Sequence, residues 1–327
     1  MLDRQIEQSD NGRMGWRGSA SKIIVAALSM LLVGACSADS GGGAETPAQS
    51  QSPPPKPISV KKYGTTLAGA LDPLESALKR LAEARAYKGL NGRVTDVETA
   101  AAQAVSELGQ VTPPAGLAGG HSQLVTALQA FHDELGDLSS QVGDRALCTG
   151  SAVRTGLGNA DGTAALRDAL ATVSAKLPDD RPALKLPPAG QKRGSRPPNG
   201  KLIRARDLDG RGELTIDNGG SADAVVALSK GRSPAVSVYV RKGKKYTVEG
   251  VPDGSYTIFF TGGADWDGMA RAFGRECAFQ RFEERLRFRT TRTDTQVFYQ
   301  TYKITLQPVV GGTARTSDVD PNDFPNR

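Results

Sequence analysis

The sequence predicts a multidomain α + β protein, an N-terminal antiparallel helical bundle followed by a C-terminal all-β sandwich. Three observations carry that expectation. From residue 62 to 176, apolar side chains recur every three or four positions, the period of an amphipathic helix. Residues 177–200 then hold six prolines and little that can pack. From Gly212 onward the period shortens to two, with turn residues every eight to twelve positions, as in sandwiches and barrels.

Residues 1–35 read as a targeting segment. Arg4, Arg13, Arg17 and Lys22 make a positive front end, and Ile23 to Val33 form an eleven-residue apolar centre. Spanning a bilayer takes about 20 apolar residues, whereas a run of this length suits a secretory signal. Met14 would serve as the start equally well. Val33-Gly34-Ala35-Cys36 resembles the lipobox of bacterial lipoproteins, where cleavage falls just before the cysteine. The resemblance implies that Cys36 becomes the first residue of the mature chain and carries a diacylglycerol, with palmitate among its acyl chains. Two or three such chains hold a protein on a membrane where one is marginal. The alternative is an ordinary cleaved signal with an incidental cysteine.

Residues 36–60 follow as a tether of Ser, Gly, Pro and Gln, too polar to offset the entropy of ordering. Its root-mean-square reach as a coil is about 25–30 Å. The bundle is assigned to residues 61–176. Leu67, Leu71, Leu74, Leu78 and Leu81 mark the first seam, and Val94, Val97, Ala101, Ala104 and Leu108 the second. The third runs through Leu117, His121, Leu124, Leu128, Phe131, Leu135, Leu138 and Val142, and its long stripe belongs at the centre of the core. Two shorter helices, near 144–157 and 162–175, complete the set. Short connections favour antiparallel neighbours.

Residues 177–211 read as a Pro-rich basic linker. They carry a net charge of +5, against −1 for residues 61–176 and +2 for residues 212–327, so the linker raises the isoelectric point. The β-sandwich is assigned to 212–310, with strands over Gly212–Asp217, Ala224–Ser229, Ala235–Val240, Lys245–Glu249 and Ser255–Thr261, and two more near 277–289 and 296–307. Residues 311–327 read as a flexible tail. The stretch VRKGKKYTVEGVPDGSYTIFF resembles prealbumin-like or immunoglobulin-like modules of exported bacterial proteins. The whole chain resembles uncharacterised lipoproteins of high-GC Gram-positive bacteria that pair a helical domain with such a β domain. That resemblance supplies no catalytic residue.

Candidate chemistry is sparse. His121 and His132 are the only histidines, and about 16 Å of helix separates them, too far to share a metal. A structural role for His121 on the apolar seam is the expectation, and no G-x-S-x-G nucleophile motif occurs. With Cys36 committed to lipid, Cys148 and Cys277 remain, either bonded across the two domains or buried as free thiols. Asp265, Asp267 and Glu276 partly match a calcium loop, but glycine falls at its fourth position, not its sixth, so no metal is expected. Asp265, Trp266 and Asp267 are the candidate ligand-binding residues. Trp266 is either an exposed platform for a sugar or peptide, or a plug for the sandwich end together with Phe273. Arg281, Arg285, Arg287, Arg289 and Arg292 alternate with Phe282, Leu286 and Phe288, which places a basic face beside an apolar one. That face is either solvated or a contact for anionic wall polymers or lipid headgroups.

Three functions compete. The first is a non-enzymatic binding or scaffold module of the cell envelope, held on the extracytoplasmic face of the membrane and needing no cofactor. The second is an enzyme on envelope polymers, which requires two acids converging in a pocket. The third is a transporter's solute receptor, which fits poorly because helices and strands do not alternate. A nucleic-acid partner is not expected, since no charged face with a reading helix is present.

Overall fold

A computed structural model describes residues 56–85, 87–177, 184–190, 194–206, 208–231, 233–307 and 314–325. The leader, Cys36 and most of the tether lie outside these residues. Five α-helices come first: α1 (Val60–Ala82), α2 (Leu90–Gly109), α3 (Ala118–Gly143), α4 (Gly150–Asn159) and α5 (Asp161–Ser174). The heptad-like spacing of leucines becomes burial directly. Leu67, Leu74 and Leu81 of α1, Val94, Val97 and Leu108 of α2, and Leu124, Leu128, Phe131 and Leu135 of α3 are all sealed from solvent. Helix α3 packs on both α2 and α5 and is the spine of the bundle. Ser59 caps α1 through its side chain and Thr149 caps α4 in the same way, each satisfying an amide that the first turn leaves open. No helix among the described residues is long and apolar enough to cross a membrane.

The β region begins earlier than the change of period suggests. Strand β1 (Lys201–Ala205) lies inside the stretch read as a linker. It is followed by β2 (Gly212–Asn218), β3 (Asp223–Lys230), β4 (Ser233–Val240), β5 (Lys244–Val251), β6 (Gly254–Asp267) and β7 (Ala272–Phe288). Two short strands, β8 (Thr291–Arg292) and β9 (Val297–Phe298), make a small hairpin before β10 (Thr301–Thr305) and β11 (Thr316–Asp318). One sheet has the order β1-β4-β3-β6-β7-β11 and a second the order β10-β2-β5. Pairing is antiparallel except between β10 and β2. The stretch read as a flexible tail thus supplies a strand on β7, and Val319 and Phe324 beyond it are buried.

Between the two sheets, Leu214, Ile216, Val248 and Ile304 meet Val226, Leu228, Val236, Val238, Ile258 and Phe260. The other face of the six-stranded sheet is covered as well. There Val225, Tyr239, Trp266, Phe273 and Phe279 pack with Phe324 of the tail and with Cys148 and Tyr87 of the helical part. This explains why β3 is buried along nearly its whole length instead of alternating. The segment from Thr261 to Phe282, read as an interruption, is instead a long hairpin with a break only at residues 268–271. A register shift between Gly262 and Ala264, with positive φ at Asp265, Arg271 and Glu276, scrambles the alternation that reveals a strand.

Candidate functional site

Among the described residues, the helices and the sheet meet where α4 starts and the β6–β7 hairpin turns. Residues 145–148 run beside β7. The Cys148 amide donates to the Gly274 carbonyl at 2.8 Å, and the Glu276 and Cys277 amides donate to Ala146 and Arg145 at 3.3 and 3.2 Å. This short ladder brings the two sulfurs together. Cys148 and Cys277 are joined, with Sγ–Sγ 2.04 Å and Cα–Cα 6.3 Å, across 129 positions of sequence. Arg145 and Glu276 both hold positive φ there, an unusual conformation for side chains of this size.

Around the bridge, polar groups tie α4 to the sheet. The Ser151 hydroxyl on α4 donates to an Asp267 carboxylate oxygen. The other Asp267 oxygen accepts from the amides of Met269 and Ala270 at 2.9 and 3.0 Å, closing the hairpin turn. Asp265 accepts from Arg275 Nε at 2.6 Å. The Ser195 amide and hydroxyl both donate to the Trp266 carbonyl, at 3.0 and 3.1 Å, which docks the chain that enters β1. Tight approach requires glycine at two of these positions. A Cβ on Gly150 would stand 2.1 Å from the Ala84 carbonyl oxygen, and one on Gly194 would stand 2.7 Å from Asp265 Cβ.

The candidate residues therefore fall together, but in roles different from a ligand platform. Trp266 is only 3% exposed. Its indole meets Tyr239 and Phe273 edge to face, with ring centroids 5.6 and 5.2 Å away, so the plug arrangement is the one observed. The reason is the second buried face of the large sheet, which no short-range signal announces. Asp265 and Asp267 are each occupied by the partners above and are not paired with one another. Met269, in the turn between β6 and β7, is 80% exposed. Beside it lies an open cleft of about 670 Å³, lined by Glu83, Arg85, Ser151, Arg154, Trp266 and Asp267. A neighbouring cleft of about 510 Å³ shares Ser151 and Arg154 and is walled by Lys185 to Gly190.

A second polar cluster fastens the segment before β1. Arg196 grips Asp223 with both ends of its guanidinium, at 2.7 and 2.9 Å. Tyr239 donates to the same carboxylate at 2.6 Å and the Lys242 amide at 2.8 Å. Burial alone would raise the pKa of Asp223. The hydrogen bonds from Arg196, Tyr239 and the Lys242 amide outweigh it and hold the carboxyl well below the usual carboxylate range. Burial, then the bond to Asp223, pushes the Tyr239 phenol up. This is a structural clamp.

His121 is buried in the bundle, with its Nδ1 3.0 Å from the Tyr63 hydroxyl. Burial lowers its pKa, and burial also pushes Tyr63 up to about 12. His121 bonds Tyr63 and His132 bonds Asp133, so among the described residues neither histidine is bonded to the Ser151–Asp267 pair as a nucleophilic triad would require. Among the described residues, no group of three or more His, Cys, Asp or Glu side chains could hold a metal ion. The arrangement can bind and brace. The chain matches no protein-family model, no curated protein and no solved structure.

Proposed function

We propose that the chain is an exported protein held by lipid on Cys36 at the extracytoplasmic face of a membrane, acting there as a non-enzymatic binding or scaffold module. The observation that carries the reading is the Cys148–Cys277 bond between helices and sheet. Such bonds form and persist in oxidising compartments and are rare where thiols are kept reduced. The leader and the lipobox-like Val33 to Cys36 point to the same side of the membrane.

Support for a non-catalytic role comes from how the acids are used. Asp223 and Asp267 accept bonds that dock a segment or close a turn, and Asp265 pairs with Arg275 across the β6–β7 hairpin. Two units joined by a disulfide, with a cleft between them, suit a module that presents surfaces. The test is metabolic labelling with radioactive palmitate in a host that processes lipoproteins. Label should enter the unaltered full-length chain and be absent from Cys36→Ser. An unlabelled native chain would remove the anchor from the account.

A further inference from the structure

The end of the sheet farthest from the helices carries an unusual surface. Strand β7 runs from Cys277, at the junction, to Phe288, on the order of 35 Å of extended chain. Beyond it comes the β8–β9 hairpin, and Val297, Phe298 and Tyr299 are 40, 55 and 43% exposed in succession. Arg292 lies directly opposite Val297, so these two share a face of the hairpin. Arg285 and Arg287 alternate along the outer side of β7, Arg289 follows just past its end, and all three are exposed. Residues 285–303 carry five cations and a single acid, Asp294. Among the described residues, none of these arginines enters an ion pair.

Hydrogen bonds tie down the base and the turn of the hairpin. Asp253 accepts from the Thr290 amide and hydroxyl, both at 2.8 Å, and Gln300 accepts from the Arg289 amide at 2.6 Å. Tyr302 donates to the Arg287 carbonyl at 2.8 Å, and the Thr293 amide closes the turn on Gln296 at 2.9 Å. The base is clamped by these bonds, while Val297, Phe298 and Tyr299 on the second arm stay exposed. Exposed aromatics ringed by cations match the interface of an anionic bilayer, where rings sit at headgroup level and arginines meet phosphates.

We infer that the β8–β9 hairpin is a membrane-docking element that inserts Val297, Phe298 and Tyr299 of its second arm among the headgroups of anionic phospholipid while the flanking arginines bind their phosphates. The inference rests on the extracytoplasmic reading and deepens it, giving the tethered module a second, reversible contact. A wall polyanion would use the cations alone and has no place for three adjacent apolar side chains, so lipid is the better match.

The test uses the chain from Ser37 onward, which keeps every helix and strand of the described residues and removes Cys36, so binding cannot come from an anchor. Vesicles of phosphatidylglycerol and phosphatidylcholine in equal parts are compared with phosphatidylcholine alone. Cosedimentation should favour the anionic vesicles at least tenfold. Val297→Ser/Phe298→Ser/Tyr299→Ser and Arg287→Gln/Arg289→Gln/Arg292→Gln should each cost at least tenfold with melting temperatures unchanged. In Phe298→Trp, the new indole joins only the buried Trp266 in this chain, and its emission should shift blue and be quenched by brominated lipid. Unchanged emission, or equal binding by the apolar triple variant, would overturn the proposal. So would tighter binding to soluble teichoic acid than to vesicles, or a concentration-dependent dimer that the triple variant abolishes. Failure here leaves palmitate on Cys36 untouched, and failure of labelling leaves this affinity untouched.

Discussion

His121 shows how one buried side chain makes stability depend on pH. Burial disfavours its charged form, so in the folded protein it takes a proton at a pH below the ordinary 6.5. The unfolded chain therefore binds that proton first as the pH falls. The stabilisation is complete above about pH 6.5 and is lost as the pH drops from there toward the folded value. His121→Gln keeps a hydrogen-bonding partner for Tyr63 and removes the titration. Thermal melts between pH 7.5 and 5.5 should show a falling midpoint for the native chain and a flatter profile for the variant; parallel profiles would exclude His121 as the cause. At this scale the sequence is informative about His121, which stands on the apolar seam of its helix. It leaves Trp266 open between platform and plug, because what buries that ring is a sheet face assembled from distant strands and the helical unit.

Among elements, α4 is the one on which the two halves turn. It is short, ten residues, and isolated helices of that length are marginal in water. Its stability comes from docking, with Gly150 laid against the Ala84 carbonyl after α1 and Ser151 bonded to Asp267 of β6. Gly150→Ala puts a methyl where backbone already stands, and α4 must move. Urea unfolding should register a loss of about 2 kcal/mol, the cost of overpacking a rigid contact. A loss below about 0.5 kcal/mol would mean that the contact is looser than described. The three long helices were legible because burial follows a 3.6-residue period. Strands β6 and β7 were only half legible, since a bulge and positive-φ residues reset the phase of alternation at Asp265 and Glu276. Strand β1 was hidden among prolines, and Val297 to Tyr299 read as ordinary strand because nothing local says that a β run lacks a cover.

For the molecule as a whole, the disulfide decides whether helices and sheet behave as one body. Closing a loop of 129 positions removes unfolded-state entropy worth on the order of 5 kcal/mol in the chain-entropy picture. Cys148→Ser/Cys277→Ser should lower the unfolding free energy by several kcal/mol and split one melting transition into two, as the bundle and the sandwich part company. A single transition with an unchanged midpoint would show that the ladder at residues 145–148 suffices alone. The sequence offered two thiols and an exported setting, and only the three-dimensional meeting of 145–148 with β7 joins them.

Thiol accounting on the protein made in its native host tests the central claim most directly. Of three cysteines, Cys36 should be in a thioether and Cys148 and Cys277 in a bridge. The membrane-bound chain, denatured without reductant, should take up no maleimide-polyethylene glycol, and two equivalents after reduction. A chain that takes up three before reduction, with residues 1–35 still attached, would contradict both the address and the tether.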